Sequence, residues 1–238
     1  MFLNTAIILS GGVGTRMGTK CPKQYLMVRE RPVIAYCLKI FENHPGIDKI
    51  VVVASEEWTD FIREWMEKES ITKFAAFAPA GRTRQHSIYN GLKAAKSCTP
   101  EEGVVIIHDA ARPLVSDQII TDCLVGAKEE GGAMPVITVK DTVYLSKTGE
   151  RIDQLLDRSQ LYAGQAPEAF RFGEYLAVHD AVSDDEIAST AGTSQIAYRH
   201  GIGVRLVKGS ERNLKITTIE DLNTFEVILS ENEKGGIN

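Results

Sequence analysis

Leu9-Ser-Gly-Gly-Val-Gly-Thr-Arg-Met-Gly-Thr-Lys-Cys-Pro-Lys-Gln-Tyr-Leu26 stands between a short apolar run and the first amphipathic segment of the chain. Gly11, Gly12 and Gly14 let the backbone turn sharply and approach an anion closely, because no Cβ stands in the way. Arg16 and Lys23 bring two cations to the same place. A glycine turn alone suits a phosphate. Followed by Arg and Pro-Lys, it suits a highly charged phosphate such as a nucleoside triphosphate.

Other glycine motifs fit less well. A dinucleotide fingerprint needs glycines at its first, third and sixth places; counted from Gly12, Gly14 fits but Met17 fills the sixth. No Gly-Lys-Ser/Thr run of a Walker A loop occurs. An ordinary strand-to-helix turn is the plain alternative, and such turns rarely carry Arg and Pro-Lys together.

Outward from this loop, apolar runs alternate with amphipathic ones. Thr5–Leu9 precedes a predicted helix near Val33–Glu42, Lys49–Ala54 one near Glu57–Lys68, Phe74–Ala78 one over Arg84–Ala95, and Gly103–His108 one over Asp117–Lys128. Strands of this length alternating with longer helices make an α/β fold whose mostly parallel sheet is covered on both faces. Ligands of such sheets bind beyond the carboxyl ends of the strands, where both the glycine loop and Asp109 fall. After Ala133 the pattern changes. Met134–Val139, Thr142–Leu145 and a stretch around Arg151–Leu155 read as extended, the last two joined through Lys147-Thr-Gly-Glu as a hairpin with Gly149 in the turn. A helix near Glu174–Ala181, a strand at Gly203–Val207 and a closing helix from about Glu220 to Leu229 complete the reading, with Thr218-Ile-Glu-Asp as a capping box and Glu231–Asn238 as a frayed tail. One domain over residues 1–238 is expected, with an arm at about 139–158.

The 238 residues are enough to bury a large core, and 32 acidic against 27 basic residues give a formal charge of -5. That balance offers nothing for nucleic acid or an anionic membrane. The apolar start, Ala6 to Leu9, is too short for a signal peptide or a membrane span, so a soluble cytoplasmic protein is expected. Cys21, Cys37, Cys98 and Cys123 form no CxxC pair and have no zinc-like spacing with histidine, which reads as free thiols in a reducing compartment.

The stretch Gly11 to Leu26, with Pro22-Lys23-Gln24-Tyr25-Leu26, resembles the signature of the sugar-alcohol-phosphate cytidylyltransferases, among them the 2-C-methyl-D-erythritol 4-phosphate and ribitol 5-phosphate enzymes. Further segments agree in order: Ala80-Gly-Arg-Thr-Arg-Gln-His-Ser87, His108-Asp-Ala-Ala-Arg-Pro113, Asp141-Thr142, Asp157-Arg-Ser159 and Asn213-Leu-Lys-Ile-Thr217. Together they span nearly the whole chain. The resemblance implies a Rossmann-like nucleotidyltransferase domain with the hairpin as a dimerisation arm. It also implies attack of a phosphate or phosphonate oxygen on the α-phosphorus of CTP, with pyrophosphate leaving.

Such a nucleophile is already ionised, so the site needs cations and a metal-binding Asp rather than a nucleophile–base pair. By resemblance, Arg16, Lys23 and Lys215 hold the triphosphate and Leu9, Ser10, Gly11, Gly12, Gly14, Gly81 and Ser87 bind the nucleotide. Asp109 takes Mg²⁺, the expected cofactor, and with Arg112 and Thr142 lines the acceptor. Arg158 is the arginine that the arm delivers into the neighbour's site, so a homodimer is expected. For Arg84, capping or pairing on the helix that begins there stands as an equal alternative to a site role. His108 reads as a packed strand-end residue rather than a metal ligand.

Two departures fall on the acceptor side. Gln165-Ala-Pro-Glu168 has Ala166 where the family commonly has Thr, and Ala191-Gly-Thr193 lacks the usual acidic residue, unless Asp184 or Asp185 takes its place. The altered positions count against methylerythritol phosphate, and Gly11-Gly12 with the Leu161–Gln165 run looks more like the ribitol phosphate enzymes; a phosphonate acceptor stays open. Two rivals are a nucleotide-binding regulator without turnover, which could dispense with Arg16, Lys23 and Lys215, and a sugar-1-phosphate nucleotidyltransferase, against which Pro-Lys-Gln-Tyr and Asn-Leu-Lys-Ile-Thr argue.

Overall fold

A computed structural model describes residues 3–12 and 21–235, with helix backbone only for 233–235. Gly14 and Arg16 lie outside the described residues. Four parallel strands form the heart of the sheet in the order β5 (Phe74–Pro79), β4 (Lys49–Ala54), β1 (Asn4–Leu9) and β6 (Val104–Asp109). The interiors of β4, β1 and β6 are runs of Ile, Val and Ala with no exposure, as strands covered on both faces require, while β5 at the edge is only partly covered. The helices that cover them are α1 (Val33–Asn43), α2 (Thr59–Lys68), α3 (Arg84–Ala95) and α4 (Asp117–Glu130).

Beyond β6 the sheet turns antiparallel. β11 (Glu168–Arg171) pairs with β6, and β7 (Gly131–Thr138) pairs with β11 at one end and with β10 (Tyr162–Gly164) at the other. β12 (Gly203–Lys208) runs parallel to β7. The expected hairpin is present as β8 (Val143–Leu145) and β9 (Gln154–Leu156), and Gly149 takes a φ of +77° in its turn, a region open to glycine. A short β2–β3 ribbon (Met27–Val28, Arg31–Pro32) lies before α1.

Several elements differ from the sequence reading. Two short helices, α6 (Asp184–Ser189) and α7 (Thr193–Arg199), follow α5 (Phe172–Ala181) where none was expected. The extended segment expected at Met134 begins already at Gly131, because Gly131 ends α4 at a φ of +98° and the chain enters the sheet at once. The closing helix α8 covers Ile219–Gly235, so helix replaces most of the expected frayed tail. Its capping box forms as read: Asp221 N donates to Thr218 Oγ1 at 3.2 Å, and Thr218 N donates to Asp221 Oδ2 at 2.9 Å.

Two large apolar clusters fill the two faces of the sheet. A third, smaller one joins distant parts of the chain: Val28, Val33, Ile216 and Phe225, with Tyr36 and Leu222 against it. It ties the segment after the glycine loop to the segment that carries Lys215 and to α8. No described helix is long and apolar enough to cross a membrane.

Candidate active site

The carboxyl ends of β1, β5 and β6 open onto a cavity of about 440 Å³ lined by Leu9, Gly11, Gly12, Lys23, Gly81, Arg84, Ser87, Asp109 and Lys215, among others. Residues from five separated stretches thus meet at one place. Pro22 begins a 3-10 turn over Lys23–Tyr25 that points two side chains back at the glycine loop. Gln24 Nε2 donates to the carbonyls of Ser10 and Gly12 at 2.7 and 2.8 Å. Tyr25 OH donates to the Ser10 carbonyl at 3.0 Å and accepts from Ser10 Oγ at 2.8 Å, while its ring stacks on Trp58. The inward hold of Gln24 and Tyr25 leaves Lys23 on the cavity side. Ser10 itself is buried under these bonds rather than lining the cavity.

Close approach fixes the glycines. A Cβ on Gly11 would stand 2.5 Å from Cβ of Ala80, and one on Gly81 would stand 2.6 Å from the backbone nitrogen of Ser87. The 80–83 loop is folded over Ser87, whose Oγ accepts from Gly81 N at 2.9 Å and donates to the Thr83 carbonyl at 3.2 Å. Thr83 caps α3 by accepting from His86 N.

Asp109 is the electrostatic centre. Lys215 Nζ approaches its Oδ2 at 2.7 Å, and Arg84 Nη2 its Oδ1 at 3.2 Å. Burial would raise the pKa of this carboxyl, but Arg84 and Lys215 outweigh burial and hold it well below the usual carboxylate range. Arg84 therefore pairs across the site instead of capping its own helix, and its Nη1 donates to Thr193 Oγ1 at 2.5 Å. His108 is fully buried, its Nε2–H donating to the Arg112 carbonyl at 2.9 Å, and burial lowers its pKa to about 4. It is a packed residue, as read. No group of three or more His, Cys, Asp or Glu side chains that could hold a metal occurs among the described residues.

A second cavity of about 420 Å³ shares Arg84, Asp109 and Lys215 with the first and continues to Arg112, Ala166, Glu168, Gly192 and Ser194. Arg112 Nη1 donates to the Asn213 carbonyl at 2.6 Å, and Asn213 Nδ2 donates to the Ala166 carbonyl at 2.7 Å. Both departures, Ala166 and Gly192, thus lie on this cavity's wall. Besides Asp109, the acidic residue there is Glu168, which the sequence reading did not single out; its only signal was the charge ending Gln-Ala-Pro-Glu. Asp184 instead pairs with Arg82 and His86 at an exposed position, and Asp185 is exposed.

Thr142 and Arg158 line neither cavity. Both are exposed near the base of the hairpin, where Arg158 Nη1 donates to the Lys140 carbonyl at 2.5 Å. A further cavity of about 650 Å³ lies at the amino-terminal end of β6, between Glu101, Glu102, Lys128, Arg171 and Glu174, and holds none of the motif residues.

Comparison with known proteins places the whole chain beside one enzyme family. The family model described as 2-C-methyl-D-erythritol 4-phosphate cytidylyltransferase matches residues 4–231. Ribitol-5-phosphate cytidylyltransferase of Streptococcus agalactiae serotype III (strain NEM316) is 34% identical over 97% of each chain. 2-C-methyl-D-erythritol 4-phosphate cytidylyltransferase of Clostridium botulinum (strain Loch Maree / Type A3) is 38% identical over 96% of this chain and 98% of its own. The solved structure of 4-diphosphocytidyl-2C-methyl-D-erythritol synthase from Anaerococcus prevotii DSM 20548 shares the fold, with a TM-score of 0.81 at 24% identity over 96% of each chain.

Proposed function

The chain belongs to the 2-C-methyl-D-erythritol 4-phosphate cytidylyltransferase family and is a nucleotidyltransferase, and on that premise we propose that it joins CMP from CTP to a polyol phosphate, with ribitol 5-phosphate favoured as the acceptor. The carrying observation is that two cavities meet at Arg84, Asp109 and Lys215. The first has the glycine loop and the 80–87 loop for the nucleotide; the second has Arg112 for the acceptor's phosphate.

An acceptor phosphate oxygen attacks the α-phosphorus. A new P–O bond forms, the α–β bond breaks and its electron pair leaves on pyrophosphate. The residues have two tasks, alignment and charge stabilisation. Lys23 and Lys215 supply positive charge in the nucleotide cavity, and Arg16 is assigned beside them by its motif. Gly81 and Ser87 set a narrow base pocket that favours cytosine over purines. Asp109 would hold Mg²⁺; a single protein carboxylate suits an ion whose other oxygens come from phosphates and water. When bound, that ion supplies further charge neutralisation for the phosphates.

The hairpin supports a homodimer. Leu145, Ile152 and Leu155 on it are exposed, Ile152 and Leu155 each at 62%, and an isolated two-stranded ribbon is marginal in water. A partner's arm would cover them and bring Thr142 and Arg158 to the neighbouring site. The buried thiols of Cys37 and Cys123 support a reducing, cytoplasmic setting.

Ala166 and Gly192 favour ribitol 5-phosphate over methylerythritol phosphate, because both change the wall that an acceptor touches. Pyrophosphate release tests the reading, with CTP, ATP, GTP and UTP each offered with ribitol 5-phosphate, methylerythritol phosphate and a small alkylphosphonate. Turnover is expected to be fastest with CTP and ribitol 5-phosphate. Preference for a purine nucleotide would overturn the base pocket, and preference for methylerythritol phosphate the acceptor.

A further inference from the structure

Glu168 opens β11 opposite Ile107 of β6, two residues before Asp109, so the sheet register sets a buried carboxylate beside the place where the two cavities join. Its Oε2 is occupied: Ser194 N donates to it at 2.8 Å, and Ser194 Oγ donates to it as well. Its Oε1 has no hydrogen-bond donor among the described residues. The nearest cation is Nη2 of Arg84 at 3.9 Å, beyond hydrogen-bond reach. Arg84 already has Asp109 as its close partner, at 3.3 Å from Nε and 3.2 Å from Nη2, so Glu168 is not needed as its counter-ion.

A carboxylate only accepts, and Glu168 lines the second cavity, so its Oε1 is open to a donor from whatever fills that cavity. Like charge keeps the acceptor's phosphate away from Glu168 and toward Arg112 and Lys215, so Glu168 faces an uncharged part of the molecule. The side chain of Ala166 on the same wall offers no hydrogen bond. We infer that Glu168 is a specificity-determining residue of the second cavity, accepting through Oε1 a hydrogen bond from a hydroxyl of the phosphorylated acceptor. This rests on the second cavity being the acceptor's.

The test compares kcat/KM for ribitol 5-phosphate with that for each of its monodeoxy analogues, using the full-length protein and saturating CTP. The wild type is expected to lose about tenfold or more on one analogue, as a hydrogen bond to a charged group implies. In Glu168→Ala that ratio is expected to fall to near one while the KM for CTP is unchanged. Glu168→Gln keeps the shape but replaces the charged acceptor by a neutral amide, whose hydrogen bond to the same hydroxyl is weaker; its discrimination is expected to fall severalfold, and it serves if the alanine variant does not fold. Ser194→Ala removes a neighbour but keeps the carboxylate, and is expected to retain the discrimination. If the variants of Glu168 turn over and discriminate as the wild type does, the inference is overturned and the acceptor reading stands. If the wild type turns over no polyol phosphate, the acceptor reading falls and the inference with it.

Discussion

Nζ of Lys215 lies 2.7 Å from Oδ2 of Asp109, while the other oxygen of that carboxylate faces Arg84 at 3.2 Å. One carboxylate therefore neutralises two cations at the seam between the cavities. On the proposed function, arriving phosphates would take over these cations and free Asp109 for a metal ion. Lys215→Ala is expected to lower kcat by on the order of 10²–10³ while leaving the KM of the acceptor within a few fold, since the lost charge acts on the transition state. Steady-state kinetics beside a circular dichroism spectrum checks this, and near-wild-type kcat in a folded variant would remove Lys215 from the chemistry.

Stability should fall in mild acid because of two buried histidines. Burial lowers His108 and His179 from 6.5 to about 4, and Gln85 Nε2 donates to His179 Nε2 at 2.8 Å, which requires that nitrogen to be unprotonated. Between these two values the unfolded chain takes up protons that the folded one refuses, so stability is lost as pH falls from about 6.5 to 4, by up to about 3 kcal/mol per histidine. Urea denaturation at a series of pH values reads the slope. His179→Gln should be less stable at neutral pH and flatter across this window; an unchanged slope would show that His179 does not contribute to it.

Gly81 has no room for a methyl group, since an added Cβ would meet backbone atoms of both His86 and Ser87 at 2.6 Å. Gly81→Ala should push the 80–83 loop off Ser87 and weaken CTP binding at least tenfold, at a stability cost of about 1–3 kcal/mol. Calorimetric titration with CTP and a thermal melt give the two numbers. Wild-type affinity would mean that this loop does not contact the base.

Assembly can be tested by complementation. On the proposed homodimer, in which Lys23 serves its own chain's cavity and Arg158 the partner's, Lys23→Ala and Arg158→Ala should each be inactive alone. Mixed under conditions of confirmed subunit exchange, they should regain part of the wild-type rate. One site of the mixed dimer holds both defects and the other neither. No recovery would place Arg158 in its own chain's site or outside the chemistry.

Local signals served the sequence reading well where a residue's role depends on near neighbours. The buried strands, the α3 boundaries, the Thr218–Asp221 box and the Gly149 turn all follow from patterns a few residues long. The gathering of Gly11, Gly81, Asp109 and Lys215 was legible because each follows a strand end or belongs to a spaced motif. Glu168 was not, since its place depends on β11 entering the sheet antiparallel beside β6, a pairing no local pattern encodes. Gln24 and Tyr25 were quoted as a motif, but their inward grip on the glycine loop is visible only once the turn is folded. Helices α6 and α7 are six and seven residues long, too short for a periodicity to stand out.

The small cluster of Val28, Val33, Ile216 and Phe225 also sets a timetable for synthesis. Val28 and Val33, close after the glycine loop, leave the ribosome well before their apolar partners Ile216 and Phe225. Until Phe225 is out, this patch stays open and the Lys215 segment lacks its anchor. The nascent chain can therefore build its central strands first, yet its charged centre assembles only once Phe225 is out, and over that interval the uncovered valines are a natural target for a chaperone.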